Sequence, residues 1–311
     1  MKRLFILASA AIVALAACTK TEVVYNEAPQ EIGFKAVTGS ITKVAVPGEQ
    51  NSSTLKGDMG VFAYLNGEDD EFFGNTQFSS ETVDQLGVVW SADKYWPVTS
   101  SLDFVVYAPH QAGATYDYSN KTLEVDADNS EATTIDEQID YLYGADFYDN
   151  SGRGFAKGTS TVPVILKHAQ AKVTVSFDVA NVTITDVNID SPTLEGSYTV
   201  RYRALDGTTG NTVSVVEWEP GSPQEAVTLI ETVGDVTEAS LLVVPETTST
   251  ISFCYKVDGS DAEILYTIRH NDNWAHGCHY TYAVTVSPKE IYFKPSVSSD
   301  WNDAGGDDIT L

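Results

Sequence analysis

Residues 166–178, LKHAQAKVTVSFD, alternate apolar and polar side chains more strictly than any other stretch of this chain. Ala171, Val173, Val175 and Phe177 share one parity, with Lys172, Thr174, Ser176 and Asp178 between them. A period of two places the first set on one face of an extended strand and the second on the other, so the segment reads as a strand with one buried face. Shorter runs of the same kind lie before it at 60–65, 87–90, 102–107, 123–127 and 140–143. After it they lie at 182–189, 198–204, 213–218, 226–230 and 239–244. Residues 251–257 and 263–269, joined by DGSD at 258–261, read as a hairpin, and 280–286 and 291–295 close the series. Gly, Asn, Asp, Ser and Pro punctuate these runs, no long segment carries helical periodicity, and no tandem repeat is visible. The expectation is an all-β chain built as sandwiches or barrels.

The N-terminus is a different kind of segment. Lys2 and Arg3 precede an apolar run at 4–14 and then small residues ending in Cys18, the layout of an export signal too short to span a bilayer. The tetrapeptide LAAC at 15–18 resembles the lipobox of bacterial lipoproteins, which implies lipidation of Cys18 as the new N-terminus and membrane attachment by lipid alone. The alternative is an ordinary signal whose cleavage point lies near a cysteine. Residues 19–30 are polar and read as a tether; Ile32, Phe34 and Ala36 then form one apolar face of a strand, before a Gly-, Ser- and Asn-rich break at 46–57. At 311 residues the chain is long enough for two cores. The expected organisation is a signal at 1–17, a tether at 18–30, a first β-sandwich at 31–161 and a second at 162–311.

Charge and cysteine content narrow the function. Losing Lys2 and Arg3 with the signal leaves 16 basic against 44 acidic residues, moving the net charge from −26 to −28. A polyanion of this size does not hold nucleic acid or anionic headgroups through its general field. Solubility in a salty extracellular medium is the simplest use of the charge. Beyond Cys18 only Cys254 and Cys278 remain. Cys254 lies among polar residues while Cys278 is in phase with Tyr280, Tyr282 and Val284, a pattern that disfavours their pairing across adjacent strands.

Few residues suggest chemistry. HGCH at 276–279, with His270 nearby, is the nearest approach to a metal cluster, but its members straddle a turn and a strand, so a turn with polar histidines is the simpler reading. In the tail DWNDAGGDD at 300–308, Asp300, Asn302 and Gly305 match part of a calcium-loop pattern. Ala304 and Leu311 break it where ligands are required. GEDDEFF at 67–73 reads as a solvated loop. No nucleophile elbow, phosphate loop, dinucleotide fingerprint or metalloprotease motif occurs, so neither an enzymatic class nor a cofactor is expected. The five Trp and 16 Tyr could serve as sugar-stacking platforms or half-buried strand faces, and the second use suits strands better.

Six stretches, taken in order, resemble one family: WSADKYWP (90–97), LDFVVYAP (102–109), LKHAQAKVTVSF (166–177), LLVVPE (241–246), NWAHGCHYTYAVTV (273–286) and VSSDW (297–301). They are similar to the fimbrillin-like lipoproteins of Bacteroidales, subunits of type V pili. The resemblance implies two tandem transthyretin-like β-sandwich domains, a surface-exposed outer-membrane lipoprotein, and polymerisation with other pilus subunits by strand donation. It implies further that a trypsin-like protease removes the anchor with the first strand, here the one carrying Ile32, Phe34 and Ala36, and that a strand from another subunit fills the groove. This chain departs from an Arg-specific cut, because no arginine lies between Arg3 and Arg153. Lys43 is the candidate maturation site; Lys35 lies within the strand and Lys56 is late. Either a lysine-accepting protease cuts there or the subunit stays uncut as an anchor or accessory lipoprotein. Residues 289–311 read equally as a donor strand or as the last strand of the second domain. The alternative function is a surface or tip lipoprotein that holds a host protein or a glycan.

Overall fold

A computed structural model describes residues 28–38, 58–66, 68, 70–83, 87–132, 137–145, 154–155, 157–159, 161–202, 215–230, 238–245, 249–270, 273–298 and 309–310. Every named element among them is a strand. The first nine are β1 (Glu31–Thr38), β2 (Met59–Leu65), β3 (Glu71–Val83), β4 (Gly87–Tyr95), β5 (Leu102–Ala108), β6 (Thr115–Asp117), β7 (Thr122–Asp128), β8 (Leu142–Ala145) and β9 (Val162–His168). They are followed by β10 (Ala171–Val179), β11 (Val182–Asp190), β12 (Glu195–Arg201), β13 (Val215–Pro220), β14 (Val227–Ile230), β15 (Glu238–Val243) and β16 (Thr250–Val257). The last are β17 (Glu263–Ile268), β18 (His279–Val286), β19 (Ile291–Ser298) and β20 (Ile309–Thr310).

Seven strands in the order β1-β4-β3-β2-β5-β8-β9 close into a barrel, against which packs a four-stranded sheet, β13-β12-β7-β6. Their shared core is rich in aromatics: Phe34, Phe78, Trp90, Phe104, Tyr107 and Tyr198 are all buried in it. A five-stranded sheet, β15-β10-β18-β19-β20, and a four-stranded sheet, β14-β11-β16-β17, face each other across a second core of Val173, Val175, Ile189, Phe253, Trp274 and Tyr282. The strict alternation at 171–177 now has its cause. β10 lies between β15 and β18 with one face on this core, so every second side chain must be apolar.

The packing does not divide at residue 161. β9 pairs with β1 and β8 and closes the first barrel, and the chain returns to the first core after β11, where Tyr198 and Val200 of β12 are buried. Residues 67–73 also differ from expectation, because β3 begins at Glu71 and runs to Val83. Register shifts against β2 erase the alternation that would mark this strand: bulges let Phe73 and Phe78, five residues apart, both face inward, which strict alternation forbids. The expected hairpin at 251–269 is present as β16 and β17, turning through Gly259 at φ 81°. Cys254 in β16 and Cys278, just before β18 of the facing sheet, are free thiols. In the tail, Ile291–Ser298 pairs with β18 along its whole length and lies in the second unit's sheet, while residues 299–308 fall outside the described residues.

Candidate functional site

The strand marked by its alternation, β1, is the closing stave of the barrel. On one side it runs antiparallel to β4, with Glu31 opposite Tyr95, Gly33 opposite Ser91 and Phe34 opposite Trp90. On the other it runs parallel to β9, with Phe34 to Thr38 matched to Val162 to Leu166. Without β1, the facing edges of β4 and β9 lose their ladder partner together.

Over residues 31–35 the side chains of β1 divide between solvent and core. Glu31 and Lys35 point to solvent, whereas Ile32 and Phe34 have no exposed surface. The Phe34 ring stands edge-on to Phe78 and Phe104, each centroid 5.0 Å away at interplanar angles of 87° and 86°. Phe104 in turn meets the rings of Trp96 at 5.9 Å and Phe155 at 6.3 Å. Phe34 thus fills an aromatic socket whose walls come from β3 and β5. Ala36 is matched to Val164 in the backbone ladder. Cys18 and Lys43 lie outside the described residues.

A short strap holds one end of this seat. Phe155 exchanges two backbone hydrogen bonds with Leu102, both 2.8 Å, at the start of β5. Gly154 has no room for a side chain there, since a Cβ would lie 2.7 Å from the Leu102 carbonyl oxygen. Four residues on, Gly158 N–H donates to the Gln30 Oε1 and Gln30 Nε2 donates to the Thr159 carbonyl, both at 2.9 Å. The Gln30 carbonyl accepts from Trp96 N–H at 2.9 Å. Gln30 therefore ties the entry of β1 both to the strap and to the end of β4. Gln30 lies at the end of the polar tether, and no sequence pattern marks it, or residues 157–159, as part of the seat. The Glu-Ile-x-Phe-Lys of residues 31–35 recurs at 290–294, with Ile291 and Phe293 partly buried and Tyr292 and Lys294 exposed, in the same phase as β1.

The other candidate clusters resolve differently. Among the described residues no group of three or more His, Cys, Asp or Glu is placed to hold a metal ion. His279 shares a 2.8 Å hydrogen bond between its Nε2 and the Thr174 hydroxyl. Burial, with Lys172 and His168 nearby, holds its pKa down to about 4. Trp274 is buried, donates to the Tyr282 hydroxyl at 3.0 Å and stacks on His270. Trp90 and Trp96 are also buried, so these tryptophans are core components and not sugar platforms.

Comparisons with known proteins bear on this geometry. The profile of a family described as fimbrillin-like matches residues 42–301, beginning downstream of β1. No curated protein matches the chain significantly. A crystal structure of a candidate cell adhesion protein from Bacteroides uniformis is 18% identical, covers 88% of this chain and 99% of its own, and superposes with a TM-score of 0.55. A second, from Bacteroides ovatus, is 16% identical, covers 90% of this chain and 100% of its own, and has a TM-score of 0.52. At these identities the two structures establish a shared fold.

Proposed function

Because the chain belongs to the fimbrillin-like family, we propose that it is a structural subunit of a cell-surface pilus, assembled by strand exchange at the seat of β1. In this reading Cys18 carries lipid and anchors the exported precursor at the outer membrane. Cleavage after Lys43 then releases anchor and β1 together, and a strand from another subunit takes the vacated seat. Ile32, Phe34 and Ala36 are the exchanged face.

The observation that carries the reading is that, among the described residues, β1 bridges the facing edges of β4 and β9 and fills a socket lined by Phe78 and Phe104. Refilling the seat is favourable on simple grounds. Burial of two side chains the size of Ile32 and Phe34 contributes about 1.5–3 kcal/mol each, and each restored ladder hydrogen bond about 0.5–1.5 kcal/mol net. The recurrence of Glu-Ile-x-Phe-Lys at 290–294 supports β19 as the donor, since Ile291 and Phe293 reproduce the spacing of Ile32 and Phe34. Donation requires β19 to exchange its own pairing with β18 for the new seat. If the bond after Lys43 stays intact, β1 keeps its own seat closed and the protein serves as an anchored subunit instead.

N-terminal mass spectrometry of purified surface fibres tests the reading. Fibre-incorporated copies should begin near Val44. Lipidated Cys18 in every fibre-associated copy would sink the cleavage step, and fibres that assemble unchanged from subunits with charged replacements at both Ile291 and Phe293 would exclude β19 as donor.

A further inference from the structure

Every open sheet has two edges, and soluble β proteins protect them because unpaired N–H and C=O groups recruit other strands. The barrel has none. In the β13-β12-β7-β6 sheet, β13 carries Glu217, Glu219 and Pro220, and β6 is only three residues long. In the five-stranded sheet, β20 has two residues. The other edge, β15, is capped by the side-chain amide of Gln138, which accepts from Leu242 N–H at 2.6 Å and donates to the Leu242 carbonyl at 3.1 Å. In the β14-β11-β16-β17 sheet, β14 has four residues.

That leaves β17. Its six residues, EILYTI, contain no Pro or Lys, and among the described residues it pairs only with β16. It also exposes apolar surface: Leu265 is 64% exposed and Ile264 41%.

We propose that β17 is a lateral docking edge for a second copy of this chain, the two strands joining antiparallel about a two-fold axis at Tyr266. This register places Tyr266 opposite its own copy, Leu265 opposite Thr267 and Ile264 opposite Ile268. It also sets Glu263, which accepts from the Thr185 hydroxyl and faces Lys256 of its own hairpin at 3.9 Å, opposite exposed Arg269 of the second copy, the residue that follows β17, twice by symmetry. Paired residues of equal parity share a face, so Glu263, Leu265, Thr267 and Arg269 all lie on the outer face while Ile264 and Ile268 continue the core face. The strand is thus self-complementary in charge as well as in backbone. A register shifted by one residue sets Glu263 against Ile268 and loses both charge pairs. A junction of this length buries less than the roughly 1,200 Å² of a standard interface, so the contact is weak in solution and gains strength only where many copies are aligned. The proposal is independent of strand exchange at β1.

Sedimentation equilibrium of the full-length chain in mild detergent tests it through a charge cycle. Wild type should show a concentration-dependent monomer–dimer equilibrium. Glu263→Arg and Arg269→Glu, each opposing like charges at two symmetric places, should weaken dimerisation about tenfold or more, and the double swap should restore most of it. Far-UV circular dichroism of each variant verifies that the sheets persist. A strictly monomeric wild type at millimolar concentration, or dimerisation indifferent to both single reversals, would overturn the assignment.

Discussion

Phe34→Ala probes the seat of β1 most directly. The ring is fully buried and stands edge-on to Phe78 and Phe104 at 5.0 Å. Truncating a packed Phe to Ala costs about 3–5 kcal/mol, and each lost aromatic pair is worth about 0.5–1.5 kcal/mol beyond its area, so the loss lies in the upper half of that range, about 4–5 kcal/mol. Domains have only about 5–15 kcal/mol in total, so a loss of this size brings β1 close to spontaneous release. Hydrogen exchange followed by mass spectrometry reads the effect by segment. At about 1.4 kcal/mol per decade, amides of β1, β4 and β9 should exchange roughly a thousandfold faster. Peptides from β10 and β18, whose side chains pack in the separate second core, should be unchanged. Lys35→Ala, on the exposed face of the same strand, should change exchange by less than about threefold. Acceleration under tenfold in β1, or equal acceleration in β10 and β18, would refute the claim that this socket holds the strand.

Two more outcomes follow from the same geometry. Gln30→Ala removes both side-chain bonds to the strap and should cost about 1–2 kcal/mol, seen as faster exchange at 157–159 with the second unit unaffected. For His279, the pKa is lowered from 6.5 to about 4, so the folded state binds fewer protons than the unfolded state between those values. Stability should therefore fall as pH drops from about 6.5 towards 4, by up to about 1.4 kcal/mol per pH unit from this group. His279→Gln should flatten that slope in urea titrations run across the window, and an unchanged slope would assign the effect elsewhere.

What could be read from the residues alone follows where side-chain parity is simple. Ile32 and Phe34 alternate with Glu31 and Lys35 because β1 has one face in the core and one in water, so the strand and its buried face were visible. β3 was not, because bulges against β2 reset its parity between Phe73 and Phe78. In β5 every residue is buried, Asp103 included, where it accepts from the Asn66 amide; no alternation could reveal which face meets the core. Closure of the barrel depends on the parallel match of Phe34–Thr38 with Val162–Leu166, far apart in the chain, and local patterns do not encode such pairings. Gln30 illustrates the same limit. Its polarity suits a tether, and only the arrival of Gly158 and Thr159 makes it a fastening point.

The parallel match of β1 and β9 also sets how the protein responds to force. β9 leads directly into β10, so a pull between the N-terminal end of β1 and the second half of the chain acts at opposite ends of two parallel strands. Such a load shears the ladder and strains its bonds together, whereas a pull across the strands would peel them one at a time. Tension along this path therefore meets the stiffest response the seat can offer. The same strand should come away more readily under a load applied across the barrel, so the direction of pull, more than the strength of any one contact, governs how long the first strand stays in place.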